Sequence, residues 1–347
     1  MSNPSGIILY DKKPGVTSFS ALGKIKKVLG TKKVGHTGTL DLFAQGLLVV
    51  CVGSLTRLAG LITAFDKEYE AQIIFGEQTD TLDPTGQVVK TAPLPTLGAL
   101  KDSLKKFTGK IMQRPPEYSA IKIDGKRASD LTRAGKAAEL PERPITVYEA
   151  ELLDAELEGA GGASLACENG SAASNDLGLA SDCALVRSAR VRFLVSKGTY
   201  IRSLARDIGE ACASAARLET LKRTRVGNFN LADAAGEDAI SAASLRPMDK
   251  ETARLCGLFS AVLRRGQEEN FYNGRPLKDA QFLEPLLEGT SAVFGEAGNF
   301  MGAVKKEKGR ARYEYVVPKG AGNSMTSGPA SLACDASRGS ESPEAGE

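Results

Sequence analysis

One glycine-rich stretch of this chain carries the residue types best suited to catalysis. Residues 32–41 read KKVGHTGTLD, so a basic pair leads into a turn that holds the only histidine and ends on Asp41. Catalytic residues are often found on loops that a rigid scaffold holds, and Gly35 and Gly38 permit a positive φ or the close approach of a ligand. A carboxylate in such a loop can act as a covalent nucleophile. A turn with a solvated aspartate is the alternative, and the loop alone favours it.

The remaining residue types exclude several kinds of active site. A Ser-His-Asp or Cys-His triad would have to include His36, the only histidine, and its spacing to Asp41 gives no triad signature. The six cysteines form no CxxC motif, which argues against a zinc site or a disulfide scaffold. Neither a GxxxxGK[ST] loop nor a GxGxxG after a strand occurs, so no nucleotide cofactor is expected. Asp80 and Asp83 could bind a hard cation, although capping of a turn is favoured.

The positive charge of the chain is concentrated at its N-terminal end. The formal net charge is +3, but residues 1–60 contain eight lysine or arginine residues against two aspartates. Lysine and arginine release counterions when they bind phosphates, so this distribution suits a phosphate-bearing partner. Solvated lysines on a surface helix explain the charge equally well.

Length and hydropathy are those of a globular protein. A chain of 347 residues suggests about two domains, and 42% hydrophobic with 25% charged residues is ordinary globular composition. The N-terminus lacks the apolar segment of a signal peptide, and no run approaches the roughly 18 apolar residues of a membrane span. We therefore expect a soluble, cytoplasmic protein with no membrane partner.

Hydrophobic patterning predicts short strands interspersed with a few helices. Ser18 is expected to cap a helix that ends at Gly30, Thr96 to cap a second helix, and the segment from residue 196 to open a third. Apolar or alternating runs predict strands at residues 6–10, 47–52, 67–76, 121–123, 144–157, 189–195 and 221–227. The order of these elements favours hairpins over βαβ units, and hence an α+β fold.

Composition divides the chain into a large body and less regular parts. Residues 1–245 are expected to form the catalytic domain, interrupted by a flexible insertion rich in Gly, Ala and Ser at 159–187. Residues 250–318 are expected to form a small β-rich domain, and residues 319–347 a disordered tail.

Five segments carry a family resemblance that is more specific than any single residue. In order and spacing they resemble the successive motifs of the TruB family, the bacterial tRNA pseudouridine-55 synthases: residues 6–18, 35–41, 67–69, 116–122 and 196–202. The resemblance implies a pseudouridine synthase core with a mixed, mostly antiparallel sheet and flanking helices, followed by a small RNA-binding domain of PUA-like type. It also implies an isomerase that converts uridine 55 in the T loop of tRNA to pseudouridine without a cofactor or a metal.

The resemblance assigns roles to five residues around the target base. Asp41 matches the catalytic aspartate and is the expected nucleophile, whether it attacks the base or the sugar. Tyr69 matches the tyrosine that stacks on the base and can take part in removing the C5 proton. Arg202 matches the arginine that pairs with the catalytic carboxylate, and a neighbouring cation favours the ionised form of a carboxylate. Tyr200 and Leu221 match residues that line the pocket.

The same resemblance implies how RNA is bound. His36 matches the histidine that occupies the space vacated by the flipped base, and flipping costs a few kcal/mol. Lys12, Lys13, Lys32 and Lys33 would contact phosphates of the tRNA T stem-loop. No protein partner is implied.

The segment after Asp41 departs from the family pattern. The family usually continues Pro-Leu-Ala-Thr-Gly, whereas residues 42–46 read LFAQG. Loss of the proline is expected to loosen the loop and to affect the rate. The departure leaves open an RNA-binding or tRNA-folding factor in which catalysis is secondary or lost. Metal-dependent RNA cleavage by Asp41, Asp80 and Asp83 is a third, disfavoured alternative.

Overall fold

The fold is that of a computed structural model, which describes residues 4–119, 121–123, 125–136, 140–158, 164–166 and 182–319. The expected tail beyond residue 319 and most of the expected insertion lie outside these ranges. Within them, no helix has the length and apolar character needed to cross a membrane.

Short strands make up most of the regular structure. They are β1 (Gly6–Lys12), β2 (Val34–His36), β3 (Gln45–Val52), β4 (Lys67–Phe75), β5 (Glu77–Thr79), β6 (Val88–Thr91), β7 (Gly109–Gln113), β8 (Lys122–Ile123), β9 (Lys126–Arg127), β10 (Arg143–Leu157), β11 (Ser164–Ala166), β12 (Val186–Val195), β13 (Ala216–Val226), β14 (Phe229–Asn230), β15 (Phe259–Val262), β16 (Gly289–Phe294), β17 (Phe300–Glu307) and β18 (Arg310–Val316).

A smaller number of helices flank these strands. They are α1 (Ser18–Leu29), α2 (Ala59–Thr63), α3 (Leu97–Lys106), α4 (Ala128–Arg133), α5 (Ile201–Ala211), α6 (Lys250–Leu255) and α7 (Glu268–Tyr272), with short 3-10 turns at Gly53–Leu58, Leu231–Asp233, Glu237–Ala239, Ala242–Ser244 and Asp279–Gln281.

One large sheet organises the body of the molecule. Ten of the described strands belong to it, in the order β1-β3-β13-β4-β12-β10-β11, with β2 beside β3, β7 beside β10 and β14 beside β13. Its neighbours are antiparallel except β3 and β13, which run parallel. This arrangement confirms the predicted α+β fold with a mixed, mostly antiparallel sheet.

Strand β3 is buried on both faces. Its residues 47, 49 and 51 pack in a cluster that includes Phe294 and Phe300 of the C-terminal strands. Its residues 48, 50 and 52 pack against Leu22 and Ile25 of α1. Strands buried on both faces have continuous apolar sequences, which explains why this one was predicted without alternation. The end of the segment that follows Asp41 is therefore fixed in the core.

The central strand β4 is buried on one face only. Its residues alternate between buried and half-buried, as predicted, and the buried set begins with Lys67 and Tyr69. Helices α3 and α5 cover this face with Leu100, Leu204 and Ile208. The face therefore continues from a hydrophobic core into the region around Tyr69.

The C-terminal residues form a second, four-stranded sheet in the order β15-β16-β17-β18. The ring centroids of Phe294 and Phe300 lie 5.8 Å apart, and those of Phe300 and Tyr315 6.0 Å apart. This sheet confirms the predicted β-rich C-terminal region. The domain boundaries themselves stay a prediction, because side chains of both sheets share one hydrophobic cluster.

The cap of helix α1 differs from the prediction. Thr17, not Ser18, is the N-cap residue, and its side chain accepts a hydrogen bond from the amide of Ser20. The prediction of Ser18 was wrong because its hydroxyl is used elsewhere: it donates to the carbonyl of Leu40 at 3.1 Å and accepts from the amide of Leu40 at 2.9 Å. Gly30 ends the helix as predicted, at a φ of 61°.

The predicted insertion is shorter than 159–187 at its C-terminal end. The carbonyls of Asp182 and Ala184 accept hydrogen bonds from the amides of Gly98 and Leu97 at 2.9 and 2.8 Å. Residues 186 and 187 already belong to β12. The amides of a first helical turn lack partners within the helix, so this segment is ordered by satisfying them.

Gly46, the second residue of strand β3, has a backbone conformation that favours glycine. Its φ is +101°, whereas Gly35 and Gly38 do not adopt a positive φ. A Cβ on Gly46 would lie 2.4 Å from the carbonyl oxygen and 2.9 Å from the nitrogen of Arg223. The close parallel pairing of β3 with β13 therefore depends on Gly46 having no side chain.

We predict that Gly46→Ala lowers the free energy of unfolding by at least about 1–3 kcal/mol, from the strained φ alone. Denaturant unfolding measures this change. The matched control is Gly23→Ala, because Gly23 lies in α1 and its Cβ would have no neighbour within 4 Å. The control is expected to gain about 0.5–1 kcal/mol. Equal stability of Gly46→Ala and the unsubstituted protein would contradict the required close approach.

Candidate active site

The side chains of Asp41 and Arg202 form a two-point ion pair. Arg202 Nε lies 3.0 Å from Asp41 Oδ2, and Arg202 Nη2 lies 3.0 Å from Asp41 Oδ1. Arg202 is the second residue of α5 and is 4% exposed. The Asp41 side chain is 36% exposed, so its carboxylate is oriented by the arginine and still accessible.

Arg202 also binds two other segments of the chain. Its Nη1 donates to the carbonyl of Thr81 at 2.9 Å, and its Nη2 donates to the carbonyl of Tyr118 at 3.0 Å. Asp83 Oδ2 lies 3.5 Å from Nη1. A buried guanidinium is stable only when its donors have partners, and here three separate segments supply them.

Residues 37–44, called the Asp41 loop below, are held by contacts along their backbone. Besides the bonds of Leu40 to Ser18, the carbonyl of Leu42 accepts from the amide of Gly15 at 2.8 Å. The carbonyl of Ala44 accepts from Lys12 Nζ at 2.7 Å. These bonds fix the loop on both sides of Asp41, despite the missing proline.

Arg223 joins the start of this loop to strand β3. Its Nε donates to the carbonyl of Leu47 at 2.7 Å, and its Nη2 donates to the carbonyl of Gly38 at 3.1 Å. Arg223 is 2% exposed. The sequence analysis did not single it out, although alternation along β13 places it on the same buried face as Leu221.

These side chains surround a cavity of about 330 Å³. Five of the predicted site residues line it: Asp41, Tyr69, Tyr200, Arg202 and Leu221. The structure therefore brings together residues that lie up to 180 positions apart in the sequence. Their individual roles remain predictions.

The backbone of Tyr200 is fixed where helix α5 begins. Its amide donates to Gln113 Oε1 at 2.9 Å, and its carbonyl accepts from Gln113 Nε2 at 3.1 Å. Burial raises the pKa of the Tyr200 phenol, against the opposing charge of Arg143. The phenol is therefore neutral at pH 7 and can serve as a hydrogen-bond donor.

The predicted RNA-contacting lysines fall into two groups. Lys13, Lys32 and Lys33 are exposed, so their contacts with phosphates stay a prediction. Lys12 is 0% exposed and its ammonium donates to the carbonyls of residues 13, 16 and 44. An ammonium has three donors, so all are used. The prediction that Lys12 contacts a phosphate is wrong, because its side chain holds the Asp41 loop instead.

His36 lies at the end of β2 and outside the cavity lining. It pairs with Val50 of β3, so it belongs to a short strand and not to the expected turn. Its Nδ1 is buried without a hydrogen-bond partner in the described structure. Burial lowers the pKa of His36, and the charge of Arg223 lowers it further. The imidazole is thus neutral at pH 7.

Asp80 and Asp83 cap a turn, as the sequence favoured. Asp80 Oδ1 accepts from the amides of Thr81 and Gln87, each at 2.9 Å. Asp83 Oδ1 accepts from the amide of Thr85 at 3.0 Å. In the part of the chain that the structure describes, no group of three or more His, Cys, Asp and Glu side chains is placed to hold a metal ion.

Comparison with known proteins finds relatives across most of the chain. The sequence profile of the TruB family pseudouridylate synthase N-terminal domain matches residues 26–172. A protein of Treponema denticola named tRNA pseudouridine synthase B is 48% identical over 71% of this chain and 66% of its own length, just under two thirds. A protein of the same name from Corynebacterium jeikeium is 34% identical over 92% of this chain and 96% of its own length.

The fold is also similar to that of a protein whose structure has been solved. A chain in the crystal structure of a Cbf5-Nop10-Gar1 complex aligns with a TM-score of 0.60 at 25% identity. The alignment covers 90% of this chain and 84% of that chain. The overall fold described above is therefore similar to a known architecture.

We predict that the imidazole of His36 titrates below its ordinary pKa of 6.5. Because it is the only histidine, its ring protons give an unambiguous NMR titration. The folded state binds fewer protons than the unfolded state here, so its stability falls as the pH drops below 6.5. The urea-unfolded protein is the control and is expected to titrate near 6.5. A folded-state pKa at or above that of the unfolded chain would contradict a half-buried, neutral imidazole.

Proposed function

Because this chain belongs to the TruB family of pseudouridylate synthases, we propose that it isomerises uridine 55 in the T loop of tRNA to pseudouridine. The observation that carries the proposal is the two-point pair of Arg202 with Asp41 in a cavity that Tyr69 and Leu221 also line. The relatives named above are tRNA pseudouridine synthases B, which supports tRNA as the substrate class.

The reaction exchanges one bond to the ribose for another. The N1–C1′ bond breaks, the base turns, and a C5–C1′ bond forms while the C5 proton is lost and N1 gains a proton. Asp41 is the nucleophile, since its carboxylate faces the cavity while both of its oxygens accept from Arg202. The same position serves attack on the sugar C1′ or on the base C6. The substrate and product are isomers, so the reaction consumes no redox equivalent.

The cavity walls suit a flipped uridine. Tyr69 is 9% exposed and offers a ring on which the base stacks, and Leu221 and Tyr200 close the pocket around it. Stacking on an aromatic ring contributes about 1–3 kcal/mol per base, which offsets much of the few kcal/mol that flipping costs. His36, neutral and adjacent to the Asp41 loop, occupies the space that the base leaves. Tyr69 also takes part in removing the C5 proton.

The T stem-loop lies on the basic N-terminal face in this proposal. Lys13, Lys32 and Lys33 are exposed there and contact RNA phosphates, which position the substrate without reading its sequence. The C-terminal sheet is an RNA-binding unit of PUA-like type. Neither a cofactor nor a protein partner is part of the proposal, and the location is cytoplasmic.

We predict that the protein forms pseudouridine at position 55 when it is incubated with unmodified tRNA in EDTA. Site-resolved mapping of pseudouridine is the measurement. Asp41→Asn is expected to abolish the product and to leave tRNA binding largely unchanged, because the amide keeps the shape of the side chain and loses the nucleophile. Binding of tRNA without product by the unsubstituted protein would favour the RNA-binding factor instead. RNA cleavage that EDTA abolishes would favour the metal-dependent nuclease.

We predict that Arg202→Lys slows product formation by roughly 10–100-fold, the effect of losing a charge-assisted hydrogen bond. Lysine keeps the positive charge but cannot donate two parallel N–H bonds to the carboxylate, so Asp41 loses its orientation. Single-turnover kinetics at saturating tRNA measure the effect, and thermal unfolding verifies that the variant is folded. A folded Arg202→Lys variant with an unchanged rate would show that the two-point geometry is unimportant.

A further inference from the structure

Two positively charged side chains in the cavity wall lack an acidic partner among the residues that the structure describes. Arg223 is 2% exposed and Lys67 is 8% exposed, and both line the cavity with Tyr69. Neither forms an ion pair with a carboxylate of the described ranges. The charge of Asp66 attracts Lys67 only over a longer distance. Burying an unpaired charge is costly, so this pair needs an explanation.

Counting hydrogen-bond donors separates this pair from the other buried cations. Lys12 uses all three donors on carbonyls, and Arg202 is shared among three segments. Among the described residues, the ammonium of Lys67 donates to two carbonyls, those of Thr63 and Phe65, and its third donor has no acceptor. Arg223 uses Nε and Nη2, and its Nη1, with two N–H groups, has no acceptor in the described structure.

The unused donors lie on one wall of the cavity. Arg223 of β13 is directly opposite Tyr69 of β4, and Lys67 is on the same buried face two residues earlier. The Cβ position of Gly38 is 3.5 Å from Arg223 Nη1. Because Gly38 has no side chain, the space beside this nitrogen at position 38 stays open.

The two cations also repel each other. Burial, and then the charge of Arg223, lowers the pKa of Lys67 to about 8, with Lys197 acting in the same direction and Asp66 against it. An anion between the two groups would relieve this repulsion and satisfy the unused donors. The unused hydrogen-bond donors and the positive charge therefore both indicate an anionic ligand.

We propose that Arg223 and Lys67 form an anion subsite that binds an RNA backbone phosphate next to the uridine whose base stacks on Tyr69. The inference rests on the proposed function and extends it by one contact. Two residues along a strand span about 6.6–6.8 Å, so Tyr69 and Lys67 contact different parts of a nucleotide. The cavity of about 330 Å³ is at the lower end of ligand pockets, which suits a single nucleotide.

The test uses an RNA stem-loop with the T-loop sequence, in which a neutral methylphosphonate replaces the phosphate on either side of the target uridine. One of the two replacements is expected to weaken binding to the unsubstituted protein by roughly tenfold. The same replacement is expected to have little effect on Lys67→Gln, because the contact is already lost. The slope of log affinity against log salt is expected to fall by about 0.7 per lost phosphate contact.

Lys33→Gln is the matched control for the comparison of Lys67→Gln with the methylphosphonate RNAs. Lys33 is an exposed lysine that is proposed to contact a different phosphate. Its substitution is expected to weaken binding of all three RNAs equally, so the effect of the methylphosphonate stays at its full size. Loss of that effect in Lys33→Gln as well would contradict a local contact at Lys67.

Indifference of the unsubstituted protein to both replacements overturns the proposal, and this measurement does not depend on a variant that folds. A slower single-turnover rate in Lys67→Gln with unchanged affinity also overturns it, because Lys67 would then act on the departing base. If the protein binds and isomerises the normal RNA in these experiments, only the subsite is wrong. If it isomerises no RNA, the proposed function itself fails.

Discussion

The guanidinium of Arg202 is the group on which the site depends. It is almost fully buried, and its donors bind the Asp41 carboxylate, the turn at Thr81 and the segment at Tyr118. Breaking a buried pair by removing one partner costs about 3–5 kcal/mol. The same interaction thus orients the carboxylate and joins three distant segments. The fold supports it through α5, whose first turn is anchored by Gln113.

A second set of contacts keeps the Asp41 loop in place without the proline that the family pattern in the sequence analysis has after the aspartate. Arg223 joins the start of the loop to strand β3, Lys12 holds Ala44, and Ser18 holds Leu40. Leu42 is 48% exposed, so the residue that replaces the proline adds little packing. The order of the loop comes from distant donors that bind its carbonyls, and not from the residue type at position 42.

Much of the fold follows from hydrophobic periodicity, and the site follows from the family resemblance. The alternation around Tyr69 and the continuous apolar run of β3 predicted both strands, and Thr96 caps α3 as expected. The predicted set around Asp41 does meet at one cavity.

The errors have a common physical cause. Lys12 was expected at a phosphate from the family resemblance and the N-terminal charge excess, and nothing local in the sequence shows that three carbonyls converge on its ammonium. The role of Ser18 is likewise explained only by its bonds to Leu40, which is distant in sequence. The alternation of β13 did contain a signal for Arg223, since it places a charged residue on the buried face.

The most direct test of the central claim is site-resolved pseudouridine mapping of tRNA from cells that lack this protein. Uridine 55 should be unmodified in those cells and in cells that express only Asp41→Asn, and pseudouridine should return with the unsubstituted chain. Pseudouridine at position 55 in the absence of the protein, or its return with Asp41→Asn, would contradict a tRNA isomerase that uses this aspartate.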